Sequence, residues 1–333
     1  MGKNYMKKIT EIRTYLMGMA ILWIMLFHTD KIFSFPLPIK LLQQSGNYGV
    51  DIFFFVSAYG LYYSMKKKII LKDWFIRRIK RIYPTFLLVT CLTGLLLGWS
   101  LWKYVQEGLF LGFLIPPLNF EEKWNVLFWY IPAQMIFYLL FPLLYKHIYI
   151  VKKYYLFIFV LTFVIFNLMS SYISMRGWSP YFTWFVARIP VFILGLIYAD
   201  KEPWIIEKIK GIYYVPILIV GFISITLLLL QNVNLLPFSL GYINGFMLIL
   251  LALPFFFWIC SITFKYLRIF NPIIEYCGKY SLELYLLHVA FIKIFPNVGF
   301  FDSINGNVVF LSAFLLPIPL AFALHRGVNA LIK

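Results

Sequence analysis

The sequence predicts an all-α fold: a polytopic bundle of about ten transmembrane helices with both termini in the cytoplasm. Three observations carry this. Hydrophobic residues fill 62% of the 333 positions and charged residues only 13%, whereas a soluble domain is about half apolar and a quarter charged. Apolar runs recur at roughly the 20-residue length that crosses about 30 Å of hydrocarbon. The cations gather on one side of the connections that those runs define.

The runs divide into spans over 12–33, 47–65, 84–102, 125–145, 154–174, 181–199, 212–230, 239–263, 281–297 and 306–325. An even number puts both ends on one side. With that side cytoplasmic, 23 of the 30 Lys and Arg residues lie inside, and only Lys31, Lys40, Lys103, Lys123, Arg176, Arg188 and Lys293 do not. Such an asymmetry sets the orientation. It also explains most of the formal charge of +17, so nucleic acid is not the expected partner. The first apolar run has no small-residue cleavage pattern and leads directly into further spans, so a removed signal is not expected. Cys91, Cys260 and Cys277 follow no metal-ligand spacing, which argues against a zinc site or a disulfide framework. The chain is read as one membrane-embedded domain over 1–333, multi-pass in a cell membrane. The piece "GLFLGFLIPPLNF" is short and broken by proline, as a re-entrant or interfacial segment would be.

Imidazoles and charges at membrane depth cost at least ~2.5–3.5 kcal/mol each on insertion scales, so each needs a reason. His28 ends the run "LMGMAILWIMLFH". Arg13, Met17, Ile24 and His28 share a stripe at 100° per residue, with Arg13 and His28 about 22 Å apart along the axis. That face carries a cation at its inner end and a titratable base near its outer end. A histidine resting at the lipid–water boundary is the plainer alternative.

Asp51 opens span two in "GVDIFFFVSAYG" at about the depth of His28. It could orient the imidazole as in a catalytic dyad, or simply favour the helix N-terminus electrostatically. Asp30 points about 200° away from His28 and is the weaker orienter. In "WFIRRIKRIYP", Arg77, Arg78 and Arg81 share faces of an amphipathic cytosolic helix that ends at Pro84, and guanidiniums so spaced suit phosphates. The whole basic stretch "KKKIILKDWFIRRIKR" equally suits a loop lying on anionic lipid. Glu283 and His288 in "YSLELYLLHVAF" do not share a face, and His288 is expected to make a structural interhelical bond. Arg188 in "VARIPVFILGLI" should face the bundle interior or water.

Taken together the motifs resemble the acyltransferase-3 family of integral membrane O-acyltransferases. Five blocks stand in the family's order: "MGMAILWIMLFH", "GVDIFFFVSAYGLYYS", "FIRRIKRIYP", "FWYIPAQMIFYLLFPLL" and "YSLELYLLH". A softer block, "ARIPVFILGLIYA", makes a sixth, and the resemblance runs from about residue 13 to 290. It implies transfer of an acyl group, most often acetyl, from cytosolic acyl-CoA (acetyl-CoA) to a carbohydrate hydroxyl at the outer face, with a free or lipid-linked glycan as acceptor. His28 stands at the family's span-one histidine, Asp51 at the aspartate of the second block, and Arg77, Arg78 and Arg81 in its basic run. No metal is implied.

Two departures bear on the chemistry. The family's arginine eleven positions before the histidine is here Met17, and Arg13, one turn earlier, is the guanidinium left to grip the donor. Gln134 and Met135 replace acidic residues that the family often carries before "FYLLFPL". Acyl transfer needs a base for the hydroxyl proton, and a neutral imidazole suits that role near pH 7. His28 is therefore the expected base, with Asp51 as orienter and Arg13, Arg77, Arg78 and Arg81 on the donor. Ser57, Tyr59 and Gln134 are candidate oxyanion donors, and a route through an acylated side chain stays open. Intramembrane polar residues and basic loops also suit a transporter or flippase, or a non-catalytic part of polysaccharide export.

Overall fold

The computed structural model describes residues 9–29, 35–67, 70–114, 127–147, 153–176, 178, 180–208, 214–232, 241–295 and 306–332. Asp30 and residues 115–126, which include part of the broken segment and the start of the fourth predicted span, lie outside them. Among the described residues there is no strand. The helices are α1 (Ile9–His28), α2 (Ile39–Ser45), α3 (Gly49–Met65), α4 (Leu71–Leu96), α5 (Leu101–Gly108), α6 (Leu111–Leu114) and α7 (Tyr130–Lys146). They continue as α8 (Tyr155–Met175), α9 (Pro180–Lys208), α10 (Tyr214–Asn232), α11 (Gly241–Tyr266), α12 (Asn271–Lys279), α13 (Ser281–Ile294), α14 (Gly306–Leu315) and α15 (Pro317–Ile332).

Among the described residues six helical stretches are long and apolar enough to cross a membrane: Ile9–His28, Leu71–Leu96, Phe157–Met175, Pro180–Pro203, Tyr214–Gln231 and Leu248–Tyr266. The chain is a multi-pass membrane protein on that ground. The other predicted spans are helical as well, but shorter: α3 and α7 have 17 residues each and α13 has 14. The last predicted span is divided into α14 and α15, where Pro317 and Pro319 supply no backbone N–H.

The third span departs from its expected start. The arginine run and the apolar run form one continuous helix, α4, with Pro84 inside it. Proline removes one ladder bond and bends a helix, and a long apolar helix packed by its neighbours tolerates this. The arginines therefore extend the span itself.

The chain divides into two compact units, one of residues 1–64 and 191–281 and the other of residues 65–190 and 282–333. In the first, α1 is central. It crosses α12 where Gly18 faces Ile274 and Gly278 faces Thr14, with backbones so close that a Cβ on either glycine would overlap a carbonyl oxygen. Small residues permit this approach, which replaces the hydrophobic drive that lipid does not provide between helices. Trp23 fixes α2 against α1: its Nε1 donates to Leu42 O at 2.7 Å, and its ring stacks on Phe256 at 6.0 Å.

The second unit has an aromatic core. Phe86, Phe113, Phe128 and Phe137 are each no more than 1% exposed. Phe86 meets Phe110 and Phe128, Phe113 meets Phe182 and Phe185, and Phe137 meets Phe185, at centroid separations of 5.0 to 6.0 Å. Rings of this size give a tight core, while α8 turns valines, leucines, an isoleucine and a phenylalanine outward, as a lipid-facing helix does.

Candidate active site

The first unit holds His28, Asp51 and Arg13. His28 is the last residue of α1, half-exposed, with its Nδ1 2.9 Å from Ile24 O. A carbonyl oxygen only accepts, so Nδ1 carries the proton and donates it, and in the neutral ring Nε2 holds the lone pair. Phe27 lies edge-on to the ring at 5.2 Å. The geometry thus defines which nitrogen of His28 can take up a proton. Ile24 O holds the Nδ1 side of the ring.

Asp51 lies in the first turn of α3 and is fully buried. The exposed N–H groups and positive end of a helix dipole favour a carboxylate there. Its neighbourhood is set by α1 on one side, where Gly49 packs against Ala20 and Ile24.

At the other end of α1, Arg13 is half-buried and its guanidinium lies against Gly60 of α3. A Cβ built on Gly60 would stand 2.8 Å from Cζ and from Nη2 of Arg13. The same unit holds a carboxylate the sequence reading did not single out. Glu202, 3% exposed, accepts from Tyr59 OH at 2.7 Å, Tyr63 OH at 3.3 Å and the Ile9 backbone N–H at 3.0 Å. Tyr62 OH donates to Asp200 at 2.7 Å. The start of α1 is thereby tied to α3 and to the end of α9. The run "YADKEPW" signalled only a charged helix end; nothing in it showed that one glutamate would collect three donors.

This removes one oxyanion candidate. The Tyr59 hydroxyl is bonded to the carboxylate that also holds Ile9, at the opposite end of α1 from His28, about 28 Å away at 1.5 Å per residue.

In the second unit the three arginines of α4 are not equivalent. Arg77 and Arg81 are exposed, whereas Arg78 is half-buried with its guanidinium 5.3 Å from the Trp74 ring centroid and 6.0 Å from that of Tyr138. Trp74 itself is fully buried and stacks on Phe141 at 6.0 Å. Arg188 is 2% exposed, over the Trp129 ring at 5.4 Å. Gln134, another oxyanion candidate, accepts from Tyr130 OH at 3.1 Å.

His288 is 1% exposed, and its Nδ1 bonds to Leu284 O at 2.8 Å within its own helix. It repeats the bond of His28 but is sealed from solvent, and that difference in exposure separates the two histidines. Glu283 pairs with His325 at 2.6 Å. All three cysteines are free thiols; Cys277 is buried, which pushes its thiol up to about 11, so it is a poor nucleophile. Among the described residues no group of three His, Cys, Asp or Glu is placed to hold a metal ion.

Comparison with known proteins gives one match. No curated protein and no solved structure matches the chain. The family model described as an acyltransferase domain matches residues 14–326, which contain His28, Asp51 and the arginines of α4. The chain therefore belongs to the acyltransferase-3 family and is a membrane acyltransferase.

Proposed function

We propose that this acyltransferase moves an acetyl group from cytosolic acetyl-CoA to a hydroxyl of a carbohydrate, free or lipid-linked, at the outer face of the cell membrane. Ten spans with both ends inside would place His28 toward that face and Arg13 and the α4 arginines toward the cytosol. The observation that carries the reading is the bond from His28 Nδ1 to Ile24 O, which directs the basic lone pair to Nε2 on a half-exposed ring.

In this mechanism His28 Nε2 accepts the proton of the acceptor hydroxyl as its oxygen attacks the thioester carbonyl carbon. A new C–O bond forms, and the C–S bond breaks when the tetrahedral intermediate collapses. The imidazolium returns its proton to the departing thiolate, and His28 ends neutral. Ile24 O holds Nδ1–H throughout, and the buried charge of Asp51 favours the transient imidazolium. Arg13, Arg77, Arg78 and Arg81 are the proposed donor contacts, with guanidiniums suited to phosphates.

The test is transfer of radiolabelled acetyl from acetyl-CoA in membranes containing the protein or its His28→Ala variant, with glycan acceptor supplied. Base-labile label on the glycan, seen only with His28 present, is the expected outcome. Normal transfer by a well-expressed His28→Ala variant would remove the base assignment, and no transfer by either protein would favour a transport or scaffold role.

A further inference from the structure

The second unit contains an aromatic cluster that the acyl-transfer chemistry does not use. Trp129 precedes α7, and Tyr181 and Trp184 lie in the first turns of α9. All three are half-exposed. The Trp129 and Trp184 rings meet edge to face at 5.8 Å and 74°, and Tyr181 meets Trp184 at 5.2 Å and 83°. Beneath them Arg188 lies on Trp129 and donates from Nη1 to Trp184 O at 3.4 Å, one helical turn back. Tyr130 is braced by Gln134 and by Tyr285, whose hydroxyl oxygen accepts its backbone N–H at 3.4 Å.

Interfacial anchoring by Trp and Tyr does not account for this. Anchoring rings lie at the level of the lipid headgroups, and an exposed ring such as Trp102, at 53%, suits that role. Here the rings are set at right angles to one another over a buried guanidinium, a costly group at membrane depth. Perpendicular rings form walls. An aromatic face is electron-rich and attracts weakly positive hydrogens, and one side of a pyranose is a row of such C–H groups, while its hydroxyls need polar neighbours.

We infer that Trp129, Tyr181 and Trp184 form a binding site for a pyranose ring of the acceptor glycan, with Arg188 as the positioning residue that holds the walls. The inference rests on the carbohydrate-acceptor reading above but concerns binding alone.

The experiment is saturation-transfer NMR on the full chain in detergent micelles, with methyl glycosides of glucose, galactose, N-acetylglucosamine and glucuronic acid as probes and glycerophosphoglycerol as a headgroup control. The expected result is saturation of ring C–H protons in at least one glycoside. Trp184→Ala should weaken it about five-fold, the middle of the range for an aromatic contact. Trp184→Phe should retain much of it and Trp102→Ala all of it. Tyr181→Ala gives a second reading should Trp184→Ala not fold. Saturation of no glycoside, equal saturation in wild type and alanine variants, or saturation of the headgroup probe alone would overturn the site. Glycoside binding without any acetyl transfer would instead keep the site and sink the transfer reading.

Discussion

The guanidinium of Arg13 lies on the bare backbone of Gly60, where an added Cβ would stand 2.8 Å from both Cζ and Nη2. Real Cβ atoms do not approach that closely, so α3 offers a flat resting place only because residue 60 has no side chain. Van der Waals contact with that backbone then helps to hold a long cationic side chain.

Gly60→Ala should therefore displace Arg13 while changing little else. If Arg13 grips the donor, the apparent KM for acetyl-CoA rises several-fold and kcat falls much less, because uniform binding is lost and transition-state contacts are kept. Steady-state kinetics at saturating acceptor measures this. An unchanged KM with a normally folded Gly60→Ala variant would sink the link between Arg13 and the donor.

Met17 offers a complementary test. It stands one turn from Arg13 on the same stripe of α1, about 6 Å along the axis. Arg13→Ala should raise the donor KM by roughly tenfold or more, as loss of a charged hydrogen-bonding group does. Adding Met17→Arg in that background should recover part of the loss, since an arginine there reaches the same side of the helix. No recovery, with the double variant well inserted, would mean that Arg13 and position 17 do not serve one ligand.

Much of this was legible in the sequence, because membrane insertion leaves a one-dimensional record. Apolar runs of fixed length gave the helices, and the ordered motifs gave the family. Pro84 misled, since a proline at the edge of an apolar run reads as a helix start, yet α4 runs through it for 26 residues. Glu202 was illegible for a different reason. Its partners Ile9, Tyr59 and Tyr63 are more than 130 residues away, and no local pattern shows which carboxylate will meet them. The tautomer of His28 likewise depends on the i−4 carbonyl and on burial, neither of which composition records.

The convergence on Glu202 predicts a stability effect separate from catalysis. Glu202→Ala leaves two tyrosine hydroxyls and the first N–H of α1 without their acceptor, at a cost on the order of 2–4 kcal/mol for buried groups of this kind. Glu202→Gln keeps an acceptor oxygen but turns an NH2 toward a donor, so its cost should fall between wild type and Ala. Thermal midpoints in a fixed detergent should therefore rank wild type, Gln, Ala from high to low. Equal midpoints would show that the start of α1 is held by something else.

Finally, the three arginines of α4 should respond differently to truncation. Arg78 stacks on Trp74 and Tyr138, so Arg78→Ala should lose roughly 1–2 kcal/mol of folded stability through a partly desolvated cation–π contact and the packing of its stem. Arg77 and Arg81 are exposed, so their alanine variants should keep the wild-type melting behaviour. What those two lose should be donor affinity that was sensitive to salt, because an exposed guanidinium is screened beyond about 8–10 Å at physiological ionic strength. Measuring the acetyl-CoA KM at low and high salt separates the cases. Raising the salt should weaken wild-type binding more than it weakens Arg77→Ala or Arg81→Ala. If all three variants melt alike and keep the wild-type salt response, the basic run of α4 has no part in holding the donor, and its role is confined to setting the orientation of the chain in the bilayer.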